Sequence, residues 1–136
     1  MIKKHSKKMA SNLSALKQVY SEIDNEREPI CPGCGCGTNL SHSHLISRKR
    51  QEFMCDKRNI ALHCQSTPDK VGCHEIWESS SRSTLLDYIS NMEYIREVDE
   101  QLFREMIVKD YDWINTEGNV CSFKNFSYIC TKYEEL

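Results

Sequence analysis

The sequence predicts an α+β fold in which a small cysteine-rich centre is flanked by a helix on its N-terminal side and by helices on its C-terminal side. Three observations support this prediction. Apolar residues recur at helical spacing near the start, residues 30–78 hold six of the eight cysteines and four of the five histidines, and a second helical pattern follows residue 83. At 136 residues the chain has the length of one domain. We therefore divide it into an N-terminal helix (1–29), a metal-stapled core (30–79) and a helical extension (80–136).

The first predicted element is a helix over residues 7–27. Its apolar residues follow one another at intervals of three and four positions, as one stripe of an amphipathic helix requires. They are Met9, Leu13, Leu16, Tyr20 and Ile23. Pro29 ends the helix because the residue before a proline is pushed out of helical geometry. Lysines stand at and before its start, at Lys3, Lys4, Lys7 and Lys8.

The cysteine pattern of the centre predicts a structural zinc site. Cys31 and Cys34 have the C-x-x-C spacing, and the proline and glycines of "CPGCGCG" allow a tight turn that brings both thiolates to one ion. Cys64 and Cys73 are the natural second pair. An alternative set replaces Cys34 with Cys36, although a C-x4-C spacing is less usual. The remaining cysteines are interpreted as buried thiols; they are Cys55, Cys121 and Cys130.

Helical patterns return after the serine-rich stretch "SSSRS", which offers an N-cap. One pattern contains Leu85, Leu86, Ile89, Met92 and Ile95, and the next contains Leu102, Phe103, Met106 and Ile107. The stretch "NTEGN" (115–119) is predicted to be a loop. The tail from Val120 to Leu136 shows no decisive pattern and is left without an assignment.

Composition excludes some classes of protein. No stretch reaches the ~18 apolar residues of a membrane span, and the basic N-terminus lacks the apolar core of a signal peptide. Cysteines without a secretion signal favour zinc or free thiols over disulfides, so we expect an intracellular, cytoplasmic protein. Acidic residues slightly outnumber basic ones, 20 to 18. The run Arg48, Lys49 and Arg50 is either a set of phosphate contacts or a solvated stretch of charge.

The order of these residues resembles the HNH nuclease family. The resemblance rests on "CPGC…SHSHLISR…DKRNIALHC…CHEIWE" and covers about residues 31–78. The residues that give the family its name would be His44, Asn59 and His74. Asn59 and His74 lie farther apart than is usual, because "QSTPDKVG" separates the second pair of cysteines where the family often has two residues. The resemblance implies a ββα-metal core laced by a four-cysteine zinc, of the small type common in phages and mobile elements.

The resemblance also implies roles for these residues in the hydrolysis of DNA. His44 would be the general base, Asn59 would orient it, and His74 would hold a catalytic divalent cation. Glu78 lies four residues beyond His74, on the same face of a helix, and a carboxylate there would suit Mg²⁺ or Mn²⁺ better than Zn²⁺.

One position departs from the family pattern. An acid or a histidine usually precedes the catalytic histidine as a metal ligand, and here that position is Ser43. On a regular strand His42 and His44 would share one face, so His42 could supply the missing ligand. If neither Ser43 nor His42 binds the ion, the catalytic metal site has few ligands. The alternative, which Ser43 favours, is a non-catalytic zinc module that binds nucleic acid or a protein partner. In either case the flanking helices could present a surface to a partner or to a second copy.

Overall fold

The computed structural model describes residues 7–117 and 121–136, with five α-helices and one two-stranded sheet among them, and is therefore of the predicted α+β class. The helices are α1 (Lys7–Glu26), α2 (Cys73–Glu78), α3 (Tyr88–Val98), α4 (Glu100–Glu117) and α5 (Phe123–Glu134). The strands are β1 (Leu40–His44) and β2 (Ile60–Cys64). Lys3, Lys4 and Val120 lie outside the described residues, as do the side chains of Lys7, Lys8 and Met9.

Helix α1 packs against the outer side of the sheet. The predicted stripe is confirmed where it is described, since Leu16 and Ile23 are buried in a cluster with Met54 and Ile60. The helix ends three residues before Pro29, as predicted. Directly after it, Arg27 donates hydrogen bonds to the backbone carbonyls of residues 57 and 60. These bonds attach the end of α1 to the start of β2.

Strands β1 and β2 form an antiparallel hairpin in which His44 pairs with Ile60 and Leu40 pairs with Cys64. Because side chains alternate along a strand, His42 and His44 share one face of β1 and Ser43 lies on the other. Ser43 is buried, with 1% of its surface exposed. The strand pattern thus places the two histidines together, as the sequence predicts.

A long loop joins the strands and is held by one buried side chain, that of Asn59. Its Oδ1 accepts a hydrogen bond from the backbone N–H of Ile46 at 2.7 Å. Its Nδ2 donates to the carbonyls of Ile46 and Phe53, at 3.0 and 3.1 Å. Three bonds from one amide therefore set the path of the chain as it leaves β1.

Helix α2 is short and lies beside the point where β1 ends. It begins at Cys73, and the indole N–H of Trp77 donates to the carbonyl of Leu45 at 3.0 Å. Since Leu45 directly follows His44, this bond brings the face of α2 that carries His74 towards the end of β1.

The C-terminal half is helical, with two corrections to the prediction. Helix α3 begins at Tyr88, after a 3₁₀ turn at Arg82–Thr84, so Leu85 and Leu86 both precede the helix. Leu85 is nevertheless buried, whereas Leu86 is 69% exposed. Helix α4 continues to Glu117, so the predicted loop at 115–119 is wrong for residues 115–117; residues 118 and 119 lie outside the described part. Helix α5 occupies most of the tail from Val120 to Leu136, for which the sequence predicts no element.

One hydrophobic cluster connects the two halves of the chain. It contains Cys31, Leu45 and Trp77 from the first half together with Ile107 and Ile129 from the second. The buried His63 of β2 also pairs with Asp87, just before α3, at 2.8 Å. The C-terminal helices are thus packed directly on the cysteine-rich centre. No helix among the described residues is long and apolar enough to cross a membrane.

Candidate functional site

Cysteines from two loops converge at one end of the hairpin. The first loop is a tight turn, in which Gly35 donates to the carbonyl of Cys31 and Cys31 donates to the carbonyl of Cys36, both at 2.7 Å. Gly35 has a φ of 84°, which L-residues with a side chain rarely adopt. The turn and the end of β2 bring four sulfur atoms within 4.8 Å of one another. They belong to Cys31, Cys34, Cys36 and Cys64.

This group differs in one member from the predicted set. Cys34 and Cys36 both belong to it, whereas the sequence suggested that Cys36 would serve only in place of Cys34. Cys73, the predicted fourth ligand, is not among these four, although it lies beside them: it is buried, and its backbone N–H donates to the sulfur of Cys64 at 3.3 Å. Five thiols therefore surround a site where zinc takes four.

The surroundings of the thiols suit a bound metal ion. Backbone N–H groups of Cys64 and Cys73 donate to the sulfurs of Cys31 and Cys64, at 3.4 and 3.3 Å. The ammonium of Lys70 lies 3.5 Å from the sulfur of Cys34. Such contacts stabilise negative charge on thiolates, and a set of thiolates selects zinc among the common divalent ions. The cluster is thus able to hold a structural zinc ion.

A second feature is a cleft of about 460 Å³ between α1, the hairpin, α2 and the C-terminal helices. It is lined by Tyr20, His42, His44, Leu45, Ser47, Arg48, His74, Trp77, Glu78, Arg82 and Met106. Three of the five histidines and both members of the predicted His74–Glu78 pair meet there. Asn59 is not in the lining; its side chain bonds instead to the backbone of the loop that follows β1.

His44 is held by the loop between the strands. Its Nε2 donates to the carbonyl of Met54 at 2.9 Å, which leaves Nδ1 as the basic nitrogen of the neutral ring. Burial lowers the pKa of His44; the hydrogen bond to Met54 opposes this effect and the nearby charge of Arg48 adds to it, so the pKa lies below its ordinary value. A lowered pKa favours the neutral imidazole, the form that can accept a proton.

His42 is fixed by helix α1. Its Nε2 donates to Asp24 at 2.8 Å, and its ring stacks on that of Tyr20 with the centroids 4.0 Å apart. A histidine that binds a metal through one nitrogen commonly donates its other N–H to a carboxylate. The pairing with Asp24 therefore leaves Nδ1 of His42 as its only nitrogen for a ligand.

His74 and Glu78 lie one turn apart on α2. The Nδ1 atom of His74 is buried and has no hydrogen-bond partner among the described residues. Over the part of the chain that the structure describes, the cysteine cluster is the only place where three or more potential ligand groups converge within 4.8 Å. The predicted ligands of the catalytic cation, His42, His74 and Glu78, line the cleft but are not gathered within that distance of one another.

The predicted basic run divides into residues with different surroundings. Arg48 lines the cleft. Lys49 is exposed, whereas Arg50 pairs with Glu52 and with Asp99, 2.8 Å away at the start of α4. Arg48 is therefore the member of the run that is placed to meet a ligand in the cleft.

Sequence reasoning missed three residues of this site. The apolar periodicity of α1 predicts Tyr20 only as a packing residue, and no motif singles out Asp24. Both contact His42, and their spacing of four residues places them on one helix face. Arg82 lies in the turn after α2, and no local pattern distinguishes it from an exposed arginine.

The comparisons with known proteins do not identify a family. No protein-family model matches the chain. Searches of curated proteins and of solved structures gave no match either.

Proposed function

We propose that this protein is a metal-dependent endonuclease of the HNH type that hydrolyses phosphodiester bonds in DNA. The observation that carries the proposal is the meeting of His44 and His74 in one cleft, on a strand–loop–strand–helix arrangement whose loop is held by Asn59. The cysteine cluster beside the hairpin supports it, because it could staple this small core with zinc.

The side chains in and near the cleft have different roles in hydrolysis. His44 takes a proton from the attacking water through Nδ1, since its Nε2 is engaged by Met54. The water oxygen bonds to phosphorus as the bond to the leaving oxygen breaks. Arg48 holds the phosphate through charge-assisted hydrogen bonds. Asn59 acts as a positioning residue through the loop that follows His44.

His74 and Glu78 are the residues that would hold a divalent cation, with His42 as a third candidate. When bound, such an ion neutralises the charge that develops on the phosphate and on the leaving oxygen. The unpartnered Nδ1 of His74 and the hard carboxylate of Glu78 fit this role.

Plasmid cleavage by the zinc-loaded protein tests the proposal. Supercoiled DNA is incubated with wild type, His44→Ala and the exposed-loop control Gln51→Ala, each with Mg²⁺, Mn²⁺ or EDTA. We expect wild type and the control to nick or linearise the plasmid only with an added ion. His44→Ala should be slower by about 10²–10⁴-fold, the usual contribution of a general base. Equal cleavage by His44→Ala and wild type would contradict the assignment of His44.

A second candidate is a non-catalytic zinc module that binds nucleic acid or a protein partner. Ser43 favours it, because this residue is buried on the face of β1 opposite to the histidines and cannot supply the usual ligand there. Folded, zinc-loaded wild type that cuts neither plasmid nor branched nor single-stranded DNA would favour this candidate.

A further inference from the structure

Arg82 lies at the edge of the cleft in a setting that differs from that of an ordinary surface arginine. Only 12% of its side chain is exposed. Its Nε lies 3.0 Å from a carboxylate oxygen of Asp110, and its Nη2 is 3.5 Å from the carbonyl of Met106. Both partners belong to α4, so the C-terminal half of the chain positions this side chain.

The partner of Arg82 is itself rigidly held. Asp110 is fully buried, and it accepts a hydrogen bond of 2.6 Å from the hydroxyl of Tyr88, another buried residue. The three side chains form a chain from α3 through α4 to the cleft. A guanidinium held in this way loses little conformational entropy when it binds a ligand.

The guanidinium keeps donors that the protein does not use. Among the described residues its hydrogen bonds are made by Nε and Nη2, and none is made by Nη1. The side chain lines the same cleft as His44 and Arg48. A planar fork with free N–H groups is suited to two oxygens of one phosphate. Arg82 cannot lose its charge at any physiological pH.

We propose that Arg82 is a second phosphate-binding residue of the cleft, which holds the DNA backbone together with Arg48 and is positioned by Asp110 and Tyr88. This inference rests on the proposed function and deepens it. It makes the C-terminal helices part of the nucleic-acid site, because Asp110 and Tyr88 on these helices position Arg82, one of the two phosphate-binding arginines.

The test uses a double variant that removes the charge without stranding its partner. Arg82→Gln combined with Asp110→Asn deletes both charges and keeps groups that can hydrogen bond to each other. The matched control is Arg58→Gln with Glu97→Gln, which deletes an exposed ion pair away from the cleft. Zinc content and thermal unfolding establish that each variant is folded.

Binding of a fluorescent DNA duplex is measured by anisotropy at several salt concentrations, without added divalent ion. We expect the double variant to bind about tenfold more weakly than wild type, as for the loss of one charge-assisted contact. The slope of log affinity against log salt should become shallower by about 0.9, the contribution of one phosphate contact. The Arg58/Glu97 control should match wild type in both quantities.

If the double variant shows the same slope of log affinity against log salt as wild type, the inference is wrong. If the double variant does not fold, the single variant Arg82→Lys tests the inference, because it keeps a positive charge beside Asp110. It is expected to keep the wild-type slope and to bind several-fold more weakly, because lysine lacks the fork; unchanged affinity would overturn the inference.

The two proposals fail in distinguishable ways. Cleavage by wild type with no effect of Arg82 variants rejects the role of Arg82 alone. Binding that depends on Arg82 without cleavage rejects the nuclease and leaves the phosphate site. Wild type that does not bind the duplex at low salt rejects both.

Discussion

The amide of Asn59 uses its oxygen and its nitrogen to hold the backbone of one loop. It accepts from the N–H of Ile46 and donates to the carbonyls of Ile46 and Phe53. A serine or threonine has one hydroxyl and could not bond to the backbone N–H and to both carbonyls. An aspartate has no donor for the carbonyls. The resemblance implied an orienting role for Asn59, and its geometry shows which backbone groups it holds.

Replacing Asn59 should therefore destabilise the protein. Asn59→Ala leaves the buried N–H of Ile46 and two carbonyls without these partners, and we expect a loss of about 2–4 kcal/mol in the free energy of unfolding. Urea denaturation of the zinc-loaded protein measures it. Asn115→Ala is the control, since this exposed side chain makes one bond to the backbone of its own helix. A loss below about 1 kcal/mol would contradict the role that we assign to Asn59.

At the scale of elements, the turn at residues 31–36 and the junction between β2 and α2 form the cysteine cluster. Cys64 ends β2 and Cys73 begins α2, so a zinc ion bound to both sulfurs would fix where these two elements meet. The eight residues between these two cysteines form a surface loop that includes a bridge between Thr67 and Lys70. The C-x-x-C spacing predicted the first half of this cluster well. The sequence predicted Cys73 as the fourth ligand and considered Cys36 only in place of Cys34, whereas in the structure Cys36 joins Cys34 in the cluster.

We expect Cys73 rather than Cys36 to be the fourth zinc ligand. Cys73 is buried and its backbone N–H donates to the sulfur of Cys64, whereas Cys36 is partly exposed and its thiol is directed to the carbonyl of Thr38 at 3.7 Å. Structural zinc binds with about 10–16 kcal/mol, so losing one of four ligands should weaken binding by roughly 100-fold.

Competition with a chromophoric chelator measures the zinc affinity of Cys73→Ser and Cys36→Ser. Cys73→Ser should show the large loss, and Cys36→Ser should stay within a few-fold of wild type. The opposite order would identify Cys36 as the ligand. Equal losses would show that neither thiol is dispensable and would also contradict the prediction.

At the scale of the whole molecule, the C-terminal helices and the cysteine-rich centre share one hydrophobic core. The buried residues of these helices share one cluster with Leu45 and Trp77, which lie beside the cleft. Asn125 of α5 donates to the carbonyls of Ser83 and Leu85, in the segment that carries Arg82. The helices and the cysteine-rich centre should therefore unfold together.

Two neighbouring residues of α4 test this expectation. Ile107 is fully buried, whereas Val108 is 38% exposed. Ile107→Ala should cost about 2–5 kcal/mol, the usual range for a large-to-small change in a core. Val108→Ala should cost about 0.5 kcal/mol or less.

Unfolding is followed by circular dichroism and, in parallel, by zinc release. Ile107→Ala should lower the midpoints of both transitions by the same amount. Zinc release that stays at the wild-type midpoint would show that the helices unfold separately from the centre.

Local patterns in the sequence are sufficient to predict several features of the fold and of the cysteine cluster. The stripe of α1, the tight turn at Cys31 and the shared face of His42 and His44 all follow from relations between residues a few positions apart. Periodicity and turn chemistry act over such distances, so they can be read without knowing the rest of the fold. The α+β class and a metal-binding cysteine cluster follow from the same kind of pattern.

The tertiary structure alone decided which distant side chains meet. Arg82 and Asp110 are 28 positions apart, and His42 and Asp24 are 18 apart, so no local period connects either pair. The places of Cys36 and Cys73 around one site depend likewise on how two loops pack. Burial of apolar surface brings helices together wherever their faces fit, and the polar contacts that result depend on that packing. For this reason the sequence predicted the histidines of the cleft but not Arg82 at its edge.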